Sequence, residues 1–472
     1  MESFKNISLW MDQLDLSLQP RPALSADTDA DVVIMGAGYT GLWTAYYLKQ
    51  HAPTLNIIIL EAKVAGFGAS GRNGGWLMGE IMGQDKLLAK ASHQTRTQAH
   101  TLLHDIPDEV ARVLEKENID CDFKKGGVLY VAARYPEQTT RLKAFYQDTL
   151  AQDYEEQDHQ WLEGESLSEK IKIHQAQGGV YSPHCASIQP AKLVRGLAEV
   201  VEKMGVKIYE NSEVTQWKKG CVKTSKAKVT AHWIVPALEA YGAQLKNGMT
   251  KLSKYHLPVQ SLIIATEPLS DELWETMGME NGEVFSDYSR QVTYGTRTKD
   301  NRLVFGARGT YQFGAKLRDD FTLNDDEIQL RQKIMVELFP QLKDAKITHA
   351  WGGNLAMSRE FHPHMTIDRN NQFAVAGGYS GEGVGATNLA GRTLADLILN
   401  RDSTLVNMPW VNNNSSLKAL TKWEPEPIPW LGYRSVIHSF DLEDRTLSNP
   451  NSSKLKRKVS NEMAKFMEKF IQ

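Results

Sequence analysis

The sequence predicts an α/β fold, in which a domain built on a parallel sheet is interrupted by a second domain built on a mostly antiparallel sheet. Two observations lead to this prediction. An apolar run, a segment of helical periodicity and a second apolar run follow one another between residues 31 and 61. Such a strand, helix, strand unit forces a right-handed crossover between parallel strands. Between residues 244 and 344, alternating apolar and polar residues indicate antiparallel strands joined by turns.

The first unit begins with a strand at 31–35, whose nearly continuous apolar character is typical of a strand covered on both faces. Apolar residues from Leu42 to Leu48 then follow helical spacing, and Pro53 marks the end of that helix. A second buried strand follows at 56–60. These three elements therefore start the first domain.

Later segments take the chain out of this domain and return it. A helical segment around 111–114 and a strand at 127–131 belong to the part of the chain that first leaves this domain. Pro190 then opens a helix at 191–204 that leads into a strand at 206–209, where the chain is back in the first domain. The predicted boundaries are an N-terminal arm at 1–30, a first domain at 31–90, 186–243 and 345–434, a second domain at 91–185 and 244–344, and a helical tail at 435–472.

Composition and charge exclude several classes of function. The 472 residues are 41% hydrophobic and carry a net charge of -3, so the chain forms globular domains and lacks the basic field that dominates nucleic-acid affinity. The apolar runs are far shorter than the roughly 20 residues that a membrane span requires, and the N-terminus lacks the pattern of an export signal. We expect a cytoplasmic protein with no membrane span and no nucleic-acid partner. The oligomeric state stays open.

The segment after the first strand carries a GxGxxG motif. Its residues are Gly36, Gly38, Tyr39, Thr40 and Gly41. The first glycine permits a tight turn, the second lets the backbone approach a pyrophosphate, and the third allows close packing of the helix. The helix N-terminus supplies amide donors and a partial positive charge to phosphates.

An acidic residue stands at the end of the second strand, where it accepts hydrogen bonds from ribose hydroxyls in dinucleotide-binding domains. This residue is Glu61, twenty residues after Gly41, and Ala62 follows it. Together with the glycine motif it indicates a bound dinucleotide. On this evidence the dinucleotide is either NAD or FAD.

A second loop of small residues follows at 66–75, directly after the strand that ends at Glu61. At this position the chain resembles the D-amino-acid oxidase, or glycine oxidase, superfamily of flavoproteins, whose members carry a similar loop along the pyrophosphate and flavin. The residues that the resemblance assigns to the cofactor here are Ala69, Ser70, Arg72, Asn73, Gly74 and Gly75.

A third glycine-rich segment, at 373–384, adds the C-terminal flavin motif that the resemblance requires. A strand ends at Gly377, and a helix through Asn388 starts a few residues later, so that its first amides can stabilise negative charge on the pyrimidine end of reduced flavin. The further cofactor residues that the resemblance implies are Val214, Gly378, Gly381, Gly383 and Val384.

The resemblance extends over about residues 30 to 435, and the segments 305–309, 349–353 and 423–427 look most like the gamma-glutamylputrescine oxidase and aminophosphonate oxidase branch. It implies FAD as cofactor, a Rossmann-like FAD-binding first domain and a discontinuous substrate domain. Relatives with covalent flavin use a cysteine before the C-terminal motif or a histidine in the early loop. This chain has neither residue at those places, so the FAD is expected to be non-covalent.

The resemblance also implies a reaction. An amine, primary or secondary, loses hydride from its alpha carbon to the flavin N5, and the imine hydrolyses to a carbonyl compound and an amine or ammonia. Molecular oxygen then reoxidises the flavin and forms peroxide. Two alternatives stay open: a dehydrogenase that passes electrons to a carrier or quinone, and a flavoprotein with a protein-directed maturation role.

Five residues are candidates for substrate contact. Tyr294, Trp351 and Tyr379 are aromatic residues that suit an apolar pocket for a neutral amine. Arg308 and Arg359 are candidates for a clamp on an acidic group of the substrate, because the planar guanidinium holds two oxygens at once. No metal is expected, since the nearby histidines at 362 and 364 have no third ligand at recognisable spacing.

Overall fold

A computed structural model of the chain describes residues 4–14, 19–245, 247–307, 309–318, 320–413 and 416–470. Within these residues the strands are β1 Thr28–Met35, β2 Ile57–Leu60, β3 Trp76–Met78, β4 Val128–Ala132, β5 Gln160–Leu162, β6 Gly178–Ser182, β7 Cys185–Ser187, β8 Lys207–Tyr209, β9 Val214–Lys218, β10 Cys221–Thr224, β11 Lys228–Pro236, β12 Leu257–Thr266, β13 Val284–Asp287, β14 Thr293–Arg297, β15 Leu303–Ala307, β16 Ile347–Met357, β17 His364–Asp368, β18 Phe373–Gly377 and β19 Val411–Asn412. The helices are α1 Leu9–Asp12, α2 Tyr39–His51, α3 Gln84–Leu88, α4 His93–His104, α5 Ile106–Glu117, α6 Pro136–Leu150, α7 Glu165–Ser168, α8 Pro190–Lys203, α9 Asp271–Glu275, α10 Asp325–Leu338, α11 Gly383–Leu399, α12 Ile428–Leu447 and α13 Lys454–Glu468.

The first sheet has the strand order β19-β17-β18-β11-β1-β2-β8, with β9 and β10 forming a hairpin on β11. Strands β18, β11, β1, β2 and β8 run parallel to their neighbours in this order, as buried apolar strands with helical crossovers require. Helices α2, α8 and α11 contribute to the apolar core of this domain. The sequence predictions of a strand, helix, strand unit and of an α/β fold are confirmed.

The second sheet has the order β16-β12-β15-β14-β13-β4-β6-β5 and is antiparallel except for the pair β13 and β4. Strand β16 pairs with β12 along its whole length, so the chain returns to the first sheet after residue 357, not near the predicted boundary at 345. Helices α4 and α5 also depart from the predicted domain boundaries. They lie in the predicted second-domain segment 91–185, yet their apolar faces pack into the core of the first domain.

The N-terminal arm is part of the packed structure. Leu9, Trp10 and Met11 are buried in an apolar cluster with Val64 and Trp351, between the two sheets. The short apolar segment that the sequence shows here forms α1, whose N-cap Ser8 accepts a hydrogen bond from the Met11 amide. The arm therefore contributes to the contact between the two domains.

Helices α2 and α11 pack directly on each other. A side chain on Gly391 of α11 would place its first carbon 2.5 Å from the Cβ of Trp43 on α2, closer than carbon atoms approach. The absence of a side chain at this one position lets the two helix axes come together. As a result, the N-termini of both helices face the same region of the molecule.

The tail consists of two helices that turn back on the second domain. Arg134 donates to both carboxylate oxygens of Asp444 on α12, at 2.8 and 3.0 Å, and Arg141 pairs with Glu443 at 2.9 Å. The sequence predicts one helical tail with solvated faces, whereas the structure has a pair of helices with one face against the protein. Among the described residues, no helix is long and apolar enough to cross a bilayer.

Candidate functional site

A cavity of about 460 Å³ opens beyond the carboxyl ends of the parallel strands, the usual position of ligands in open α/β sheets. Three chain segments meet there: the turn after β1, the loop after β2 and the turn after β18. The predicted site residues that line the cavity are Gly36, Gly38, Tyr39, Thr40, Glu61, Ala62, Ala69, Ser70, Asn73, Val214, Tyr379, Gly381, Gly383 and Val384.

The turn after β1 depends on the glycines that the sequence singles out. Gly36 has a φ of +105°, and a side chain there would also lie 2.5 Å from the carbonyl oxygen of Ala237. A side chain on Gly41 would lie 2.2 Å from the Gly36 oxygen, so Gly41 packs the helix against the turn. Gly38, between them, lines the cavity. The tight turn, the close approach and the helix packing are thus divided among the three glycines.

Glu61, directly after β2, lines the cavity beside the glycine turn. Its carboxylate accepts hydrogen bonds from the amides of Ala37 and Lys63, both at 2.9 Å, which hold it beside the glycine turn. Burial raises the pKa of this carboxyl above its usual value. A ribose hydroxyl that donates to Glu61 would supply a further stabilising partner.

The loop at 66–75 is tied to the glycine turn through Ser70, whose Oγ accepts a hydrogen bond from the Tyr39 amide at 2.9 Å. Asn73 holds the loop together, because its Nδ2 donates to the carbonyl oxygens of Ala69 and Ser70 and its Oδ1 accepts from the Gly75 amide. The loop therefore presents a fixed backbone to the cavity.

Arg72 has a supporting place in this loop. Its Nε donates to the Phe67 carbonyl at 2.8 Å and its Nη1 to the Gly352 carbonyl at 3.2 Å, and the guanidinium stacks on the rings of Phe67 and Phe321. Burial lowers the pKa of Arg72 from its usual value. The side chain joins the loop to β16 and does not line the cavity.

Like Arg72, four more of the predicted cofactor residues do not line the cavity and pack against other parts of the protein. Gly41 packs on the glycine turn, Gly74 lies against the ring of Tyr294, Gly75 turns the backbone with a φ of +79°, and Gly378 does so with a φ of +73°. In each case a side chain would meet a neighbouring atom closer than 3 Å: a backbone oxygen at Gly41 and Gly75, the ring of Tyr294 at Gly74, and the Cβ of Ser358 at Gly378.

The turn after β18 is held by a carboxylate from the segment that follows β11. Glu239 accepts hydrogen bonds from the amides of Gly378 and Tyr379, at 3.1 and 3.3 Å, and it lines the cavity. Burial raises its pKa to about 7. Tyr379 also shares a 2.9 Å hydrogen bond between its hydroxyl and that of Thr40, which joins this turn to the first glycine turn.

The other candidates for substrate contact lie elsewhere. Tyr294 has its hydroxyl 2.5 Å from that of Ser261, and burial raises its pKa to about 12. Trp351 donates its Nε1 hydrogen to the Arg72 carbonyl at 2.9 Å within the apolar core. Arg359 is paired with Glu424 at 3.1 Å. Arg308 lies outside the described residues.

Several cavity residues were not predicted from the sequence. They are Leu60, Lys63, Gly66, Phe67, Gly68, Glu213, Ala237, Leu238, Glu239, Tyr241, Gln244, Leu245, Arg318, Leu355 and Thr387. Those at 66–68 stand inside the predicted loop, and those at 237–241 directly follow β11, so their position in the chain is a usable signal. Arg318 and Leu355 come from the second domain, and no local motif marks them.

A group of polar side chains forms a second cluster near α4. The Oδ1 atom of Asp158 lies 2.8 Å from Nε2 of His184 and 3.4 Å from Nδ1 of His104. The two imidazole rings are stacked, with centroids 3.7 Å apart and an angle of 7° between their planes. Because the lone pairs of the ring nitrogens lie in two nearly parallel planes, they do not meet at one point as the ligands of one ion would. The cluster is a hydrogen-bonded network as it stands.

The cavity fits FAD. A side chain at Gly38 would lie 2.9 Å from the Ser70 oxygen, and one at Gly381, where φ is +114°, would meet no protein atom within 4 Å and would take up cavity space. The helix start after Gly38 would offer amides to the pyrophosphate, and Glu61 would accept hydrogen bonds from a ribose. The first residues of α11 line the same cavity. Fold and site together define a dinucleotide-binding flavoprotein.

Comparison with known proteins gives the family. Residues 31–397 match the family of FAD dependent oxidoreductases known as DAO. The chain belongs to this family, and the protein is an FAD-dependent oxidoreductase.

Two relatives match most of the chain. A probable oxidoreductase, OrdL, of Haemophilus influenzae is 31% identical over 81% of this chain and 86% of its own length. The gamma-glutamylputrescine oxidoreductase of Escherichia coli is 30% identical over 83% of this chain and 89% of its own length. Among solved structures, glycine oxidase from Geobacillus kaustophilus superposes with a TM-score of 0.67 at 18% identity, over 82% of this chain and 99% of its own.

The glycine turn leads to a first prediction. Gly38→Val should abolish FAD binding, because the added carbons occupy the space that the pyrophosphate needs, whereas Glu61→Ala should weaken binding less, by about tenfold for the loss of hydrogen bonds to a charged group. Flavin content after purification and FAD titration measure both. Gly432→Val is the control, since a side chain there meets no atom within 4 Å. A Gly38→Val protein that folds and retains full flavin would refute this placement of the cofactor.

The residues around the loop lead to a second prediction. Since Arg72 takes the place of a histidine and 361–366 contains no cysteine, precipitation of the purified protein with acid should release yellow FAD into the supernatant. Absorbance of the two fractions gives the result. Flavin that remains with the pellet would show a covalent bond.

Proposed function

We propose that the protein oxidises a primary or secondary amine at the carbon next to nitrogen. The carbon loses a hydride and the nitrogen a proton, water adds to the resulting imine, and a carbonyl compound and an amine or ammonia leave. Oxygen accepts the two electrons with two protons and becomes hydrogen peroxide. The observation that carries the proposal is the 30% identity, over 83% of this chain, to a gamma-glutamylputrescine oxidoreductase, combined with a cavity that fits the flavin.

The chain's own residues prepare the cavity for this chemistry. FAD, when bound, supplies the hydride acceptor. The first turn of α11, at Gly383 and Val384, presents backbone amides and the positive end of the helix dipole, which stabilise negative charge that develops beside them. Tyr379 and Thr40 hold the two glycine turns in one arrangement through their hydroxyl contact.

The substrate must give up a proton before it can be oxidised. A free alkylamine with a pKa near 10.4 is protonated at neutral pH, and its neutral form costs about 4 to 5 kcal/mol at pH 7. Glu382 is a suitable proton acceptor. It is the residue before α11, and its sequence neighbours Gly381 and Gly383 both line the cavity.

The surroundings of Glu382 favour this role. Burial raises its pKa to about 8, and the carboxylates of Glu80 and Asp85 contribute to the increase. A carboxylate with this pKa takes a proton from an ammonium group far more readily than an ordinary one, while the negative charge around it attracts a cation. We assign the deprotonation of the substrate amine to Glu382.

We further propose that the substrate carries an acidic group away from the reacting nitrogen. The similarity to an enzyme of gamma-glutamylputrescine supports this choice of substrate. Arg308 is the proposed partner of that group, on the sequence argument that an arginine between Ala307 and Gly309 follows an alternating strand.

A panel of amines tests the reaction. Amines with and without a distal carboxylate or phosphonate are mixed with the purified protein, first without oxygen, where bleaching of the flavin reports oxidation, and then with oxygen, where peroxide is measured. We expect bleaching by acidic amines at lower concentrations than by neutral analogues. Bleaching without peroxide would identify a dehydrogenase with another electron acceptor, and the absence of bleaching by every amine would refute the proposed reaction.

The pH dependence tests the role of Glu382. The charged form of this group predominates above a pH of about 8, so kcat/KM should rise with pH and level off above that value. In Glu382→Gln the rise should continue toward the amine's own pKa near 10.4, with kcat/KM about 100-fold lower at pH 8. Glu275→Gln, an exposed acid on α9, is the matched control. Identical profiles for Glu382→Gln and wild type would remove Glu382 from the mechanism.

A further inference from the structure

The outer face of α13 is apolar and exposed. Leu455 is 72% exposed, Val459 58% and Phe466 59%, and Phe470, in the turn that continues the helix, is 58% exposed. At 3.6 residues per turn, the first three of these lie within an arc of about 40°. Phe470 adds to the same face through an edge-to-face contact with Phe466 at 5.3 Å. The four side chains form a row, with the exposed Glu462 between Val459 and Phe466, and we call this row the outer stripe.

The opposite face of α13 is attached to the protein. Ser460 and Ala464 are buried, and Ala464 packs against Val436 and Phe440 of α12. Arg457 forms two hydrogen bonds to the Glu137 carboxylate, at 3.0 and 2.6 Å. With its inner face fixed in this way, the helix cannot turn the outer stripe inward. The stripe is therefore a surface feature of the folded protein.

The charge around the outer stripe is positive. Between 454 and 470 there are six basic and two acidic side chains, a net charge of +4, whereas the whole chain carries -3. The lysines of this segment are all exposed, at 454, 456, 458, 465 and 469. An exposed apolar stripe with lysines beside it is the pattern of helices that lie in the interface of a bilayer with anionic lipids.

A second copy of the chain is a poorer occupant of this surface. An interface of two such helices would bring two segments of charge +4 together, and like charges across an interface oppose association. An anionic lipid surface instead complements the lysines while acyl chains cover the apolar side chains. We propose that α13 docks the protein on the surface of a bilayer that contains anionic lipids, with the outer stripe inserted at the level of the headgroups. This inference goes beyond the proposed oxidation, which takes place in a different part of the molecule.

Vesicle binding by the full-length, FAD-loaded protein tests the proposal. The protein should float with vesicles made of equal parts phosphatidylglycerol and phosphatidylcholine, and should remain unbound with phosphatidylcholine alone. About 0.5 M salt should reduce the binding, because it screens the lysines. The double variant Leu455→Ser and Phe466→Ser should bind the anionic vesicles at least tenfold more weakly, with unchanged flavin content and melting temperature.

A matched control and the oligomeric state complete the test. Phe313→Ser replaces a phenylalanine of similar exposure, 55%, outside the tail and should bind vesicles like the wild type. Equal binding by the double variant and the wild type, or no binding of wild type to anionic vesicles, would overturn the proposal. Light scattering that shows a dimer in wild type and a monomer in the double variant would assign the stripe to a second copy and would overturn it as well.

Discussion

The packing of α2 against α11 is the contact on which the rest of the site depends. Each helix starts at the FAD cavity, one after Gly38 and the other after Glu382, and the missing side chain of Gly391 lets them lie in direct contact. The hydroxyl contact between Thr40 and Tyr379 joins their starting turns. Because both helix N-termini are positioned by one packed interface, the amides at the two ends of the cavity keep a constant separation.

The loop between β2 and β3 is held by Asn73 from within and by neighbouring segments from outside. Ser8 and Trp10 of the arm donate to the Gly71 and Asn73 carbonyls, both at 2.7 Å, and Trp351 donates to the Arg72 carbonyl. Small residues can approach a cofactor closely, yet they leave few side chains to stabilise the loop, so further bonds come from the arm and from β16. Six of the ten residues at 66–75 line the cavity, and the other four pack against the protein.

Two half-buried carboxyl groups lie at the turn before α11, and both have raised pKa values. Glu239 holds the amides of this turn, and Glu382 is its last residue. Above a pH of about 8 both groups are charged, and their negative potential then favours a cationic substrate over an anionic one close to the helix start. An acidic group on the substrate would therefore bind at a distance from this turn, which is consistent with an amine whose acid lies at its other end.

The sequence alone determined the parallel βαβ unit and the family resemblance, and it marked the three glycine-rich segments that meet at the cavity. Strand and helix periodicity and the turns at Gly36 and Gly381 depend on local residue types, so these features can be read from the sequence. It could not determine which loop residues face the cavity, since Arg72 and Ser70 stand two residues apart and only packing against β16 separates their roles. Tertiary structure likewise decided that β16 belongs to the second sheet, that the arm packs between the two sheets, and that the outer stripe of α13 is exposed. Each depends on which surfaces distant segments cover, and that is a property of the folded chain and not of any local pattern.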